Sequence, residues 1–155
     1  LFFECYLNTI KKKWSYQYLN IDFFRKIFLS DLKKNILLIS AFDNKKFIGC
    51  SLHFLGNNTL YGRYAGTLTE MPFLHFELCY YQAIEYAIQQ KISKIEAGAQ
   101  GEHKIARGYI PTIIYSNHWI RNEKLKIGIK KFLDYEKGEI LSALEIMKRY
   151  NPFND

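Results

Sequence analysis

The chain has 155 residues, 48% of them hydrophobic and 17% aromatic, enough to bury one sizeable core and too few for a second complete domain. A formal net charge of +7 admits an anionic partner (nucleic acid, a phosphorylated donor or a membrane surface), and is equally the charge of a lysine-rich solvated face. Cys5, Cys50 and Cys79 are odd in number, widely spaced and without a CxxC pair, which argues against a disulfide framework or zinc site and suits a reducing cytoplasm. No apolar run approaches the ~18 residues of a membrane helix, so no integral membrane association is expected.

Leu1-Phe2-Phe3-Glu4-Cys5 has the look of a structured interior, which suggests a single domain that is the C-terminal part of a longer protein. Asn20 followed by apolar residues at helical spacing, with Asp22 in the first turn, predicts a helix from Ile21 that ends near Lys33-Lys34-Asn35. Ile36 to Phe42, Phe47 to Leu55 and Thr59 to Thr67 are rich in aliphatic and aromatic residues. They are separated by Asp43-Asn44-Lys45-Lys46 and Gly56-Asn57-Asn58, which predicts an antiparallel three-stranded meander. A helix over Phe73 to Lys91, a short strand over Ser93 to Ala99, a loop, a strand over Thr112 to Ile120 and terminal helices interrupted near Gly138 complete the chain. A meander followed by a helical crossover to a further strand gives an α+β fold: a mixed, mainly antiparallel sheet flanked by helices.

Two places carry candidate chemistry. A helical wheel over Phe73 to Lys91 puts Phe73, Tyr80, Tyr81, Ile84, Ala87 and Ile88 on one face, with Glu77 in its middle. A carboxylate there is expected to be buried against the sheet, either as a structural ion-pair partner or as a general base at the bottom of a cleft. The second place is the loop Gly98-Ala99-Gln100-Gly101-Glu102-His103-Lys104-Ile105-Ala106-Arg107-Gly108, whose glycines allow close backbone approach and whose Lys104 and Arg107 can meet an anion, with Arg63 as a third cation. It is either a working loop or a polar connection. His75 projects away from Glu77, and no HExxH or comparable ligand spacing occurs, so no metal site is expected. His53 and His118 lie on expected strands as packed or edge residues. Cys50 and Cys79 are expected to be inert, and no GxSxG elbow is present.

Four stretches together resemble a known family: Leu60-Tyr61-Gly62-Arg63-Tyr64 with Gly66; Leu74-His75-Phe76-Glu77-Leu78-Cys79-Tyr80-Tyr81-Gln82; Glu96 to Tyr109; and Ser116-Asn117-His118-Trp119. They look like the bacterial FemAB-like N-acyltransferases, relatives of the GNAT superfamily. The resemblance implies a GNAT-like sheet in which Ser93 to Ala99 splays from Thr59 to Thr67 and the acyl donor enters at the splay. It further implies an N-acyltransferase or aminoacyltransferase: an amine attacks a thioester or ester carbonyl, a backbone N–H steadies the oxyanion and a carboxylate or water takes the proton. Glu77, Glu102 and His103 are then the candidate acid/base residues, while Arg63, His75, Gly98, Gln100, Lys104 and Arg107 are candidate substrate contacts. The loop is expected to meet the start of the helix near Phe73. The helix entry Leu68-Thr69-Glu70-Met71-Pro72-Phe73-Leu74-His75 lacks the arginine and glycine motif that cradles a pyrophosphate, so acyl-CoA is the weaker donor and aminoacyl-tRNA the stronger. The acceptor would be a small-molecule or peptide amine, such as that of a peptidoglycan precursor. The alternative is a noncatalytic module of the same fold that binds such a ligand.

Overall fold

Two short turns organise the sheet. A computed structural model describes residues 1–98 and 101–153. In it, Asn44 and Lys45 (φ 47° and 69°) join β1 (Ile36–Asp43) to β2 (Lys46–Gly56), and Asn57 and Asn58 (φ 49° and 55°) join β2 to β3 (Thr59–Thr67). Positive φ at both central residues is the turn geometry whose twist matches the flanking strands, and asparagine tolerates it best among residues with a side chain. The meander is therefore written locally, as the sequence predicted. A fourth strand, β4 (Lys94–Glu96), pairs parallel with β3, giving the order β1-β2-β3-β4. The architecture is α+β with a mixed, mainly antiparallel sheet, consistent with a GNAT-like fold.

The chain divides into two units, Leu1–Ala99 and Gln100–Asp155. In the first, helices α1 (Phe2–Lys12) and α2 (Ile21–Leu29) cover one sheet face: Phe2, Cys5, Tyr6, Phe24 and Ile27 pack on Cys50 and Leu52 of β2. Fully burying a side chain such as Leu52 stabilises the fold by roughly 1.5–3 kcal/mol. Asn20 caps α2 by accepting the Phe23 N–H at 2.9 Å. The helix stops earlier than the sequence suggested, because the Ser30 hydroxyl accepts the Leu32 N–H and turns Asp31–Asn35 into a tighter 3₁₀ segment. α1 itself was not anticipated, although Phe2, Tyr6 and Ile10 recur at helical spacing.

The other face carries one helical run, α3 (Leu74–Phe76), a π-helical segment Glu77–Tyr81 and α4 (Gln82–Gln89). Its buried residues are Leu74, Leu78, Tyr80, Ala83 and Ala87. The step from Leu78 to Ala83 is five residues rather than four, the period of the wide turn in which the Gln82 N–H bonds to the Glu77 carbonyl. An α-helical wheel run backwards from Ala87 through this turn arrives out of phase. Hence Glu77, expected to be buried, is exposed, as are Phe73 and Tyr81; Ile88, expected on the same face, lies beyond the turn and is exposed as well.

The second unit contains a 3₁₀ segment, Glu102–Arg107, and α5 (Glu123–Lys148), a continuous helix of 26 residues capped by the Asn122 side chain. Two expectations fail here. Gly138 does not interrupt α5: helical hydrogen bonding runs through a glycine at a modest propensity cost. Thr112 to Ile120 form no strand; their alternation is real, but they have no ladder partner among the described residues.

Candidate functional site

The sheet is irregular where β3 and β4 part. Their parallel pairing comprises Thr59 with Lys94, Leu60 with Ile95 and Tyr61 with Glu96, and stops there. Two residues further along β3 the β2 register slips: Leu52 faces Tyr64 and His53 faces Gly62, which leaves Arg63 as the extra residue of a β-bulge. A bulge leaves a residue out of the ladder and bends the strand, and such features recur beside functional sites. Arg63 is exposed, with its guanidinium 5.9 Å from the centre of the Tyr64 ring.

Beneath this point β2 supplies two buried polar side chains. Ser51 donates its hydroxyl to the Leu78 carbonyl at 2.6 Å, so a strand side chain satisfies a backbone oxygen within the π-helical turn. His53 is 2% exposed; its ring is hydrogen-bonded to the backbone of Cys79, while its Nδ1 is buried without a partner. Burial brings its pKa down to about 4 against the smaller opposing pull of that hydrogen bond, so the ring is neutral at pH 7. As expected from the sequence, His53 is a packed histidine.

An open cleft of about 370 Å³ lies where β3 ends and α3 begins, lined by Lys12, Thr67, Glu70, Met71, Pro72 and His75. Lys12 and Glu70 face each other across 3.0 Å, so the cleft has a matched ion pair rather than an excess of positive charge. His75 meets residues one turn further on, with Nδ1 3.4 Å from the Cys79 sulfur and its ring edge-on to Tyr80 at 5.9 Å. Cys79 is thus half-buried, whereas Cys5 and Cys50 are fully buried, and burial raises both of their pKa values. Glu77, one turn from the helix start, accepts from the Gln82 side chain at 2.7 Å in solvent. Thr67, Glu70 and Lys12 were not anticipated as site residues; the Glu70-Met71-Pro72 break marks the end of the strand, but nothing in sequence brings Lys12 to it.

The remaining sequence candidates fall at or beyond the boundary between units. Gly98 is exposed at φ 84°, and Gln100 lies outside the described residues. Glu102, His103, Lys104 and Arg107 share the 3₁₀ segment of the second unit, where the turn is tied by the Arg107 guanidinium donating to the His103 carbonyl at 2.6 Å. Its two flanking glycines are needed as glycines. At Gly101 (φ 109°) a Cβ would fall 2.5 Å from the His103 ring, and at Gly108 (φ 84°) 2.7 Å from the Phe153 ring. Ile105 is buried and anchors the segment, while Glu102 and His103 are exposed. Ser116 and His118 touch, Oγ to Nε2 3.0 Å, on an exposed stretch. Among the described residues no three His, Cys, Asp or Glu side chains gather as a metal site would require, and no helix is long and apolar enough to cross a membrane.

The family model described as FemAB-like, peptidoglycan biosynthesis/recognition, matches residues 1–155. No curated protein matches the chain.

Proposed function

The chain belongs to the FemAB-like family of peptidoglycan biosynthesis and recognition, and from that premise we propose that it transfers an acyl or aminoacyl group to an amine of a peptidoglycan precursor. The observation that carries this reading is the bulge at Arg63 immediately past the last β3–β4 pair. A strand freed from its neighbour has backbone N–H groups that can turn to an incoming carbonyl, and such donors stabilise a developing oxyanion strongly when fixed in place. Attack by the neutral amine forms the new C–N bond, collapse of the tetrahedral intermediate expels the thiolate or tRNA hydroxyl, and the amine proton leaves to a carboxylate, imidazole or water. In the first unit we assign Glu77 to that proton transfer and Arg63 and His75 to substrate; in the second, Glu102 and His103 are the acid/base candidates and Lys104 and Arg107 the substrate candidates.

The Leu68–Phe73 connection supports an ester donor over acyl-CoA. It carries Glu70 and Pro72 rather than arginine and glycine, and Lys12, which lines the same cleft, is already paired with Glu70 rather than open to a pyrophosphate. A second reading, a noncatalytic module that binds the precursor, is favoured by one observation: Glu77 is exposed and already engaged by Gln82.

Thermal-shift screening of the full chain against aminoacyl-tRNA, acyl-CoA and muropeptides tests the reading. Stabilisation grows as RT ln(1 + [L]/Kd), about 2.7 kcal/mol at a hundredfold excess over Kd. Transfer predicts shifts with aminoacyl-tRNA and with muropeptide; a shift with muropeptide alone favours the recognition module, and no shift with either sinks both.

A further inference from the structure

We propose that the connection between α1 and α2 docks the protein on an anionic lipid surface, with Trp14 and Tyr16 entering the headgroup layer and Lys11 and Lys13 meeting the lipid charge. The last two residues of α1 and the connection after it read Lys11-Lys12-Lys13-Trp14-Ser15-Tyr16-Gln17-Tyr18, and all eight residues are exposed. Trp14 is 96% exposed and Tyr16 92%. No acidic residue occurs between Glu4 and Asp22, so no carboxylate of this stretch offsets Lys11 and Lys13.

Backbone geometry makes Trp14 the informative residue. The Ser15 N–H bonds to the Ile10 carbonyl at 3.1 Å and the Trp14 N–H to the Lys11 carbonyl at 3.2 Å, a Schellman ending for α1. That motif needs a left-handed residue after the cap, a position where glycine is favoured, and here Trp14 occupies it at φ 51°. A large aromatic side chain held in a disfavoured backbone region and offered whole to water is doubly unfavourable for the isolated fold. Such costs collect at functional positions.

The rest of the connection is fixed, so the projection is built rather than slack. The Tyr18 hydroxyl meets that of Tyr64 at 3.2 Å, and the Leu19 N–H donates to the Tyr6 hydroxyl at 3.2 Å. Lys12 is turned to Glu70, which leaves Lys11 and Lys13 on either side. Lysines in a last helical turn also complement the helix dipole, but the dipole gives no reason for a tryptophan.

The chemistry favours lipid over nucleic acid. Tryptophan and tyrosine prefer the water–lipid boundary, where an apolar ring is buried and its polar atom stays wet, and nearby lysines add attraction to anionic headgroups. Stacking on bases uses rings lying flat along a basic groove, whereas these rings stand clear of the protein.

The test uses the full chain carrying Trp119→Phe, which leaves Trp14 as the sole tryptophan. We expect its emission to shift to the blue, and the protein to sediment, with phosphatidylglycerol vesicles but not with phosphatidylcholine, and both effects to vanish at ~1 M salt, where screening is nearly complete. Lys11→Gln and Lys13→Gln should each weaken partitioning roughly fivefold. Trp14→Gly should abolish sedimentation while raising the melting temperature, because glycine fits the left-handed position. Unshifted emission on anionic vesicles, equal sedimentation by Trp14→Gly, or a lower melting temperature for that variant would overturn the proposal, as would an emission change with mixed-sequence RNA and none with vesicles.

Discussion

Gly66 of β3 lies directly against Cys5 of α1: a Cβ on Gly66 would sit 2.1 Å from the Cys5 carbonyl oxygen and 2.7 Å from the Thr9 hydroxyl. Backbone meets backbone there. The approach lets Thr9 donate to the Ala65 carbonyl at 2.8 Å and Asn8 donate to the Thr67 carbonyl, which ties α1 to the end of β3 beside the cleft. Gly66→Ala must push the helix away, and we expect it to cost about 3 kcal/mol, the upper end of core overpacking. Urea unfolding of the full chain measures it; a loss below about 1 kcal/mol would mean that the helix yields freely.

His53 makes stability depend on pH in a defined window. Its pKa is about 4 in the fold against 6.5 for a free histidine, so the unfolded chain binds the extra proton between these values. Its contribution is complete above pH 6.5 and drains away as the pH falls toward 4, by about 3 kcal/mol in all at 1.36 kcal/mol per pH unit. Unfolding free energies from pH 7 to pH 4, compared with those of His53→Gln, isolate this slope from that of the carboxylates. Parallel curves for the two proteins would show that His53 titrates normally.

At Gly138 an added Cβ would meet nothing within 4 Å. Gly138→Ala should therefore stabilise α5 by about 1 kcal/mol through helix propensity alone. Helical circular dichroism of a peptide spanning residues 122–149 reads this locally; no gain in helicity would place a hidden demand on that glycine.

The legible parts of this molecule are those set by short-range chemistry. Asn44 and Asn57 announce the hairpins, Asn20 marks the start of α2, and the β-rich runs between the turns leave little choice of partner. The position of Glu77 was illegible because one wide helical turn shifts every residue before it, and the Ser51–Leu78 contact that satisfies the turn joins residues 27 apart in sequence. The bulge at Arg63 was likewise hidden: it arises from pairing with Leu52 and His53, and no local signal sets its register. Thr112 to Ile120 failed for the opposite reason, since alternation states which faces a strand would have without supplying a neighbour to pair with.

Glu102 and His103 can be removed with little structural consequence. Both are exposed, and the His103 backbone carbonyl, Ile105 and the glycines, all kept in such a variant, hold the turn. On the acyl-transfer reading, the double variant Glu102→Gln, His103→Ala lowers kcat at least a hundredfold, the usual scale for loss of general acid/base catalysis. Its melting temperature should stay nearly unchanged. Retained turnover in a folded double variant would return this segment to the role of a polar connection.

Transfer of an aminoacyl group shows in the mass of the acceptor. The full chain is incubated with aminoacyl-tRNA and an amine-bearing muropeptide, and the muropeptide is weighed by mass spectrometry. We expect a product heavier by one aminoacyl residue, formed only when protein and charged tRNA are both present. An acceptor of unchanged mass with aminoacyl-tRNA and with acyl-CoA, under conditions where the muropeptide still binds, would contradict it and leave a recognition module in its place.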